Sequence, residues 1–529
     1  MSQSIESLAR YLAQEERYLS LNKIQRGIEK ECLRIKTSGY LSQEPHPKAL
    51  GSALTHKFIT TDYSEALLEF ITPASDSIDA PFEWLKHIHQ FVYNNIGEEL
   101  LWGLSMPCVM ASEAAIPIAQ YGHSNSGKMK HIYRVGLGHR YGKVMQTIAG
   151  VHYNISFPTR FWANYAAYSG VQQVDSGFIS SEYFKIIRNF HRFGWLVTYL
   201  FGASPALCQS FVKSARTHKS SLEAMENGTL YGKFATSLRM SDIGYSNNAQ
   251  STLNISYNSL EKYIEGLEKA IRTEEPFYKD IGVKVDDAYK QLNSNLLQIE
   301  NEYYGHIRPK QTSKMGERPT KALANRGVEY IEVRALDLNP FSPLGVDIYQ
   351  AAFLDCFLLY CLFEDSPFIT LRENAEIKEN LRRVVELGRR RGLTLRFRNR
   401  DISLKDFAHQ ILEGMALIAH LLDKANQTRR FSMAVESAKV KIEHPEQTLS
   451  GLIIAALRDS RSPYYSPGGF YEFAFKTSEQ HKDVMTKAAM DKEVQQHFNV
   501  EAEKSHQRQS ELEADNSVTF ENYLAAYFE

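Results

Sequence analysis

Cysteine is scarce in this 529-residue chain, and its placement suggests neither a disulfide framework nor a zinc knuckle. Cys32, Cys108, Cys208, Cys356 and Cys361 form no CxxC pair and no Cys/His cluster with metal-site spacing. Five widely spaced thiols are the pattern of a reduced, cytoplasmic protein. An excess of one charge is also missing. Sixty-one basic residues face 62 acidic ones, so net charge argues for neither a nucleic-acid nor a membrane partner. Long apolar runs are absent as well: the most apolar stretch, Trp195 to Ala203, is about half the length of a membrane span. The N-terminal segment carries Glu6, Glu15 and Glu16 and has no apolar core, so it reads as an amphipathic helix over 4–20, not a leader. No GxxxxGK[ST] loop occurs, which excludes a P-loop. The glycines of residues 136–142 (GLGHRYG) are wrongly spaced for a dinucleotide fingerprint.

What remains is an ordinary globular composition, 43% apolar and 23% charged. The length would fit several average domains, yet no repeat, low-complexity segment or linker divides it. We therefore expect one elaborated domain over 1–529. Its sheet and site should come mainly from 20–345, with a predominantly helical part over 346–529. Period-two runs occur at IQRGIEKECLRI, THKFITTDY, ALLEFIT, GVHYNISF, QLNSNLLQIENEYY and GVEYIEVRALDL. Residues 306–323, rich in Pro, Gly, Ser, Thr and Lys, read as a loop. In the C-terminal part, Ser403 and Asp406 resemble a capping box opening a helix with a stripe of Leu404, Phe407, Ile411, Leu412, Met415, Ile418 and Leu422. Strands separated by long helical insertions indicate an α+β fold.

Alternation of strand faces sets out the candidate chemistry. It places Glu29 beside Glu31, and Glu69 among Leu67 and Ile71, while Asp62 ends the preceding strand. His152, Asn154 and Ser156 share a face, as do Tyr330, Glu332, Arg334 and Leu336. Singly, each residue has an ordinary explanation. A strand Glu usually faces water, a lone His is more often hydrogen-bonded core than ligand, and an i,i+2 Glu–Arg pair is commonly a surface ion pair. Together, five acids are too many for Arg334 to neutralise, and a carboxylate on an apolar strand must be paired, protonated or metal-bound. Oxygen ligands suit hard cations, and Mg²⁺ shares its shell readily with phosphate. A metal–nucleotide site for phosphoryl transfer follows. A second signal is LRRVVELGRRRGLTLRFRNR, residues 381–400, with eight arginines. It is an alternative anion- or nucleic-acid-binding patch, though a solvated helix and turn explains it more simply.

The segments IQRGIEKECLR, GSALTHKFITTDYSEALLEFITP, AQYGHSNSGKMK, YGKVMQTIAGVHYNISFP, FGASPA, ATSLRMSDIGY, QLNSNLLQIENEYYGHIRPK and GVEYIEVRALDLNPFSPLGV closely resemble the bacterial glutamate–cysteine ligase family, gammaproteobacterial type. The ordered match runs from about residue 20 to 350; the arginine-rich stretch matches nothing assignable. The resemblance implies a glutamine-synthetase-like antiparallel sheet curved into a funnel, with ATP as co-substrate and more than one Mg²⁺. It implies that ATP phosphorylates the γ-carboxylate of glutamate and that the cysteine amine then displaces phosphate. γ-Glutamylcysteine results, the first step of glutathione synthesis.

Residue by residue, the resemblance implies metal ligation by Glu29, Glu31, Asp62, Glu69, His152 and Glu332. Arg334 would pair with the γ-phosphate, and Arg239 with a substrate carboxylate, that of cysteine. Tyr133, Leu137, Gln146, Tyr245 and Tyr304 would line the cysteine pocket, aided by Tyr63, with Asn154 toward glutamate. Family members often have Phe at the Tyr63 position. Partners are then small molecules only, with no nucleic acid and no membrane, and the chain is expected to be a monomer. The 306–323 loop is expected to cover the nucleotide through Lys310, Lys314 or Arg318. The rivals are a carboxylate–amine ligase with a different amine, a metal-dependent phosphohydrolase, and a binding protein using residues 381–400.

Overall fold

The computed structural model describes residues 3–107, 109–215, 222–245, 253, 255–314, 316–515 and 517–529. Its centre is a seven-stranded sheet whose pairings are all antiparallel. We label its strands β1 (Gln25–Ile35), β2 (Ile59–Thr61), β3 (Leu67–Ile71), β4 (Leu100–Leu101), β5 (Val151–Ser156), β6 (Ile307–Lys310) and β7 (Tyr330–Leu336). The order is β6-β7-β5-β1-β3-β2, with β4 pairing the far end of β1. Helices supply the rest, so the architecture is mixed helix and antiparallel sheet.

One face of the sheet is dry. Ile28, Cys32, Val151, Tyr153, Ile155, Ile331 and Val333 are all buried there, as β-branched and aromatic side chains on a pleated surface favour. Against it lies the helix Ile348–Phe363, buried on nearly all sides and closed at its start by a capping box of Asp347 and Gln350. The same face buries charge. Arg26 Nε donates to Asp355 Oδ2 at 2.7 Å and the Tyr153 hydroxyl donates to Asp355 Oδ1 at 2.8 Å, tying β1 and β5 to that helix. Lys30, also buried, meets His89 Nε2 at 2.7 Å; burial lowers its ammonium pKa to about 8.

Several local expectations change. The N-terminal helix ends at Ala13, and a 3-10 segment follows with Glu15 and Glu16 at positive φ. QLNSNLLQIENEYY is no strand; its only regular element is a 3-10 turn at Glu300–Glu302. The side-chain amide of Asn293 bonds the Gln298 carbonyl within the segment, and those of Gln291 and Gln298 bond the Tyr278 and Tyr133 carbonyls of neighbouring elements, in place of a ladder. Residues 306–323 are not one loop, since they begin with β6 and end in the helix Pro319–Arg326. A register shift between Val333 and Leu336 sets Leu336 opposite Val151, so it leaves the face of Glu332 for the core.

The helix Leu404–Asn426 forms as expected with its whole apolar stripe buried; of the expected capping box the structure gives the N-cap half, Ser403 Oγ accepting from the Asp406 N–H at 3.0 Å. The arginine-rich stretch is a helix end followed by the hairpin Thr394–Phe397 and Arg400–Ser403. Arg382 is paired there with Glu379 and Glu386, and Arg389 donates to the Lys233 and Ala235 carbonyls. Cys32, Cys208, Cys356 and Cys361 are free thiols, and Cys108 lies outside the described residues. No helix among the described residues is long and apolar enough to cross a membrane.

Candidate active site

The other face of the sheet collects the polar residues, and the register dictates how they meet. Glu29 on β1 stands opposite His152 on β5, and Glu31 stands opposite Glu69 on β3. Asn154 is flanked by Gly27 on one side and Glu332 on the other, with Arg308 of β6 beyond Glu332. Directly opposed side chains on one face lie about 5 Å apart at Cβ, so carboxylates from three strands converge. Ligand atoms of Glu29, His152 and Glu332 all fall within 4.8 Å of one another. Glu29 Oε2 is 3.0 Å from His152 Nδ1, and Glu29 Oε1 accepts from the Asn154 amide at 2.8 Å. Glu31 Oε1 lies 3.8 Å from His152 Nε2, while its Oε2 accepts the Gly150 N–H at 2.8 Å.

The acids divide electrostatically. Burial pushes Glu69 well up, reinforced by Glu29, Asp62 and Glu31, so it favours the protonated form. Glu31 is raised too, by burial in the first place. Burial also works against ionised Glu332, yet Lys310, Arg334 and His152 outweigh it and hold this carboxyl well below the usual range. Burial works against ionised Glu29 as well, but the His152 hydrogen bond together with the charges of His152 and Lys310 outweighs it, and this carboxyl is lowered. A group of acids in which part is ionised and part is held neutral by burial and mutual repulsion is what a hard cation would relieve. The donor set of carboxylate oxygens and one imidazole therefore fits Mg²⁺.

Asp62 lies at the margin, half exposed, with Oδ1 3.8 Å from Arg134 Nη2. Arg134 also donates to the Asp62 carbonyl and lies over the Tyr121 ring. Arg334 Nη1 is 3.2 Å from Glu332 Oε2 and 3.5 Å from His152 Nδ1. Lys310 Nζ is 3.1 Å from Glu332 Oε1. Reading 306–323 as a loop leaves Lys310 without a place on this face, whereas it ends β6. The alternation of Arg308 and Lys310 in IRPK was the signal for it. Arg318 is a correction: buried, it pairs with Glu300 at 2.8 Å and with Glu268, so it is committed to the scaffold and not to a nucleotide.

Arg239 enters from the 3-10 turn Leu238–Met240, fully buried. It donates to the Arg334 carbonyl at 3.0 Å and lies 3.6 Å from Asp337. Asp337 is itself held by the Ala203 N–H and the Ser204 and Ser237 hydroxyls; the FGASPA segment is thus a cradle for this carboxylate. Gly150 has to be glycine here, since a Cβ would lie 2.2 Å from Arg239 Nη2. Tyr304 lies in the field of Arg239, Arg334 and Glu31, and burial raises its phenol pKa.

Tyr133 and Leu137 sit one turn apart on the helix Asn125–Tyr141. Burial raises the Tyr133 phenol, with Glu302, Arg134 and Asp62 among its neighbours. Tyr63 is buried against this helix, its hydroxyl without a hydrogen-bond partner among the described residues where a Cβ on Gly138 would come within 2.6 Å. Gln146 lies on the 3-10 turn Met145–Thr147 leading into β5. The Tyr245 side chain lies outside the described residues. A cavity of about 530 Å³ adjoins Tyr304 and His306, bounded by His191, Trp195 and Tyr257, and no carboxylate among the described residues lines it. The acids themselves are elsewhere, on the sheet.

Residues 9–384 match the family model for glutamate-cysteine ligase. A glutamate–cysteine ligase of Alcanivorax borkumensis is 49% identical over 514 residues, 96% of this chain and 96% of its own length. One of Pseudomonas putida (strain KT2440) is 46% identical over 501 residues, 95% of this chain and 94% of its own. The crystal structure of the Francisella tularensis enzyme in complex with AMP superposes with a TM-score of 0.88 at 36% identity, covering 96% of this chain and 97% of that one. Kinship of this extent, over a site whose strands carry the expected acids, leaves one assignment: the chain belongs to the glutamate–cysteine ligase family.

Proposed function

We propose that the acidic sheet face is where ATP and glutamate react and that Tyr63, Tyr133, Leu137, Gln146, Arg239, Tyr245 and Tyr304 receive cysteine beside it. The observation that carries this is the convergence of Glu29, His152 and Glu332 within 4.8 Å, bordered by the cations of Arg334 and Lys310. In this reading residues 1–529 act as one monomeric catalytic unit, its sheet curved into a funnel of the glutamine-synthetase kind.

Glu29, Glu31, Asp62, Glu69, His152 and Glu332 would hold more than one Mg²⁺. Bound there, Mg²⁺ would neutralise the triphosphate and the charge that builds as phosphate transfers. The Arg334 guanidinium, aimed along the face by Glu332, suits the γ-phosphate, where a planar fork gives directional bonds. The γ-carboxylate oxygen of glutamate attacks the γ-phosphorus and ADP leaves. Asn154, already oriented by Glu29, serves the glutamate. The cysteine amine then attacks the acyl carbon, the amine sheds a proton, and phosphate departs with the C–O bonding pair. Arg239 pairs with the cysteine carboxylate and so aims the amine. Burial of these groups excludes water, which would otherwise hydrolyse the acyl phosphate.

The test is ADP release by purified protein with Mg-ATP, supplied with glutamate, cysteine, or both. Release that needs both, with γ-glutamylcysteine identified by mass spectrometry, is the expected result. Release independent of amino acids would instead make the protein a phosphohydrolase.

A further inference from the structure

Two walls of the proposed cysteine pocket come from distant stretches of chain, and a single buried carboxylate joins them. Tyr133 rides on the helix Asn125–Tyr141, whereas Tyr304 ends the segment 291–304, which has no sheet ladder to anchor it. Glu302 lies between. Its Oε1 is 3.0 Å from Arg140 Nη1 and accepts from the Tyr141 hydroxyl, and its Oε2 accepts the Gln298 N–H at 2.6 Å. Neither Arg140 nor Glu302 exposes any side-chain surface.

The remaining donors of Arg140 go to the same segment, Nε to Gln291 Oε1 at 2.9 Å and Nη2 to the Asn293 carbonyl at 2.7 Å. Gln298 returns a bond to the helix. Its amide donates to the Tyr133 carbonyl at 3.2 Å and accepts from the Leu292 N–H at 3.0 Å. Helix and segment touch so closely here that a Cβ on Gly136 would lie 2.2 Å from Gln298 Oε1. Tyr133, Leu137 and Arg140 follow i, i+4, i+7 spacing, so pocket and clamp share one helix face. Tyr304 is two residues beyond Glu302. Moving the carboxylate therefore moves both tyrosines.

We propose that the buried Arg140–Glu302 pair, with Gln298, sets the separation of Tyr133 and Tyr304 and thereby the fit of the acceptor amino acid. These are positioning residues: they touch neither the acidic face nor the reacting atoms. The inference rests on the reading that the two tyrosines border the cysteine pocket. Burial makes the device stiff, because a charge whose partner is removed has no water to turn to.

The experiment uses full-length Glu302→Gln and Gln298→Met. The first keeps shape but removes the charge; the second leaves the charge pair intact and removes the Gln298 side-chain bonds to the Tyr133 carbonyl and the Leu292 N–H. Steady-state rates are measured with cysteine, glutamate and ATP each varied in turn, alongside Tyr304→Ala. We expect the KM for cysteine to rise about tenfold or more in both clamp variants, with the other two KM values and kcat within about twofold. If neither clamp variant shifts the cysteine KM while Tyr304→Ala does, the positioning role is wrong and the pocket assignment stands. If none of the three shifts it, the pocket assignment fails and the proposal with it. A fall in kcat with all KM values unmoved also overturns the proposal.

Discussion

Glu29 and His152 stand directly opposite each other on neighbouring strands and meet at 3.0 Å, Oε2 to Nδ1. The contact makes Glu29 both a candidate metal ligand and the group that orients the imidazole. Glu29→Gln keeps the shape and removes the charge, so ligation should fall by about a hundredfold or more with the fold intact. In the wild type, added Mg²⁺ should raise the melting temperature, and Glu332→Gln should abolish that shift. Near-normal turnover of Glu29→Gln, with circular dichroism unchanged, would remove this face from the chemistry.

Arg239 reaches the site through a buried set of contacts with the Arg334 carbonyl and Asp337. A lysine there keeps the charge and loses the planar fork. We expect Arg239→Lys to raise the KM for cysteine by about tenfold or more while that for glutamate changes little. Equal effects on both substrates would show that Arg239 serves a different carboxylate.

The Tyr63 hydroxyl is buried without a partner among the described residues. Deleting such a group recovers its desolvation cost, so Tyr63→Phe should stabilise the protein by about 1 kcal/mol in urea unfolding. The same variant should change the preference for cysteine over an acceptor with a methyl in place of the thiol. An unaltered ratio would mean that the hydroxyl plays no part in selection.

Burial holds His46 and His191 down at about 3, and His56, His306 and His481 at about 4. The unfolded chain protonates these rings as pH falls through the usual 6.5, whereas the native state does not. The unfolded state then binds more protons, and stability falls as pH falls. The loss should begin just below pH 6.5, deepen down to about pH 4, and be absent above the starting value. Denaturation midpoints across that range check it, and His46→Leu should reduce the slope by about one proton. A flat profile would contradict the burial of these rings.

The site was legible in the sequence wherever one strand period placed it. β1, β5 and β7 run as their alternation indicates, and Glu29, Glu31, His152, Asn154, Glu332 and Arg334 lie on the faces so deduced. Arg239, Tyr133 and Tyr304 sit on a short turn, a helix and an irregular segment, which have no period to read, so they were reached only through the family resemblance. The strand wrongly expected at QLNSNLLQIENEYY shows the same limit. Its apolar rhythm is that of a strand, but its amides bond carbonyls within the segment and on neighbouring elements and hold it as a loop. Leu336 was misplaced by a register shift, which no face-counting detects.

The pair of Arg26 with Asp355 joins residues 329 positions apart. At a ribosome adding about 5–20 residues per second, roughly a quarter of a minute to a minute separates their synthesis. Throughout that interval Arg26 of β1 lacks its carboxylate partner. The strand partners of β1 all precede Asp355 in the chain, whereas this charge pair cannot close until the helix bearing Asp355 has left the exit tunnel, so the tie between sheet and helix is a late event in translation.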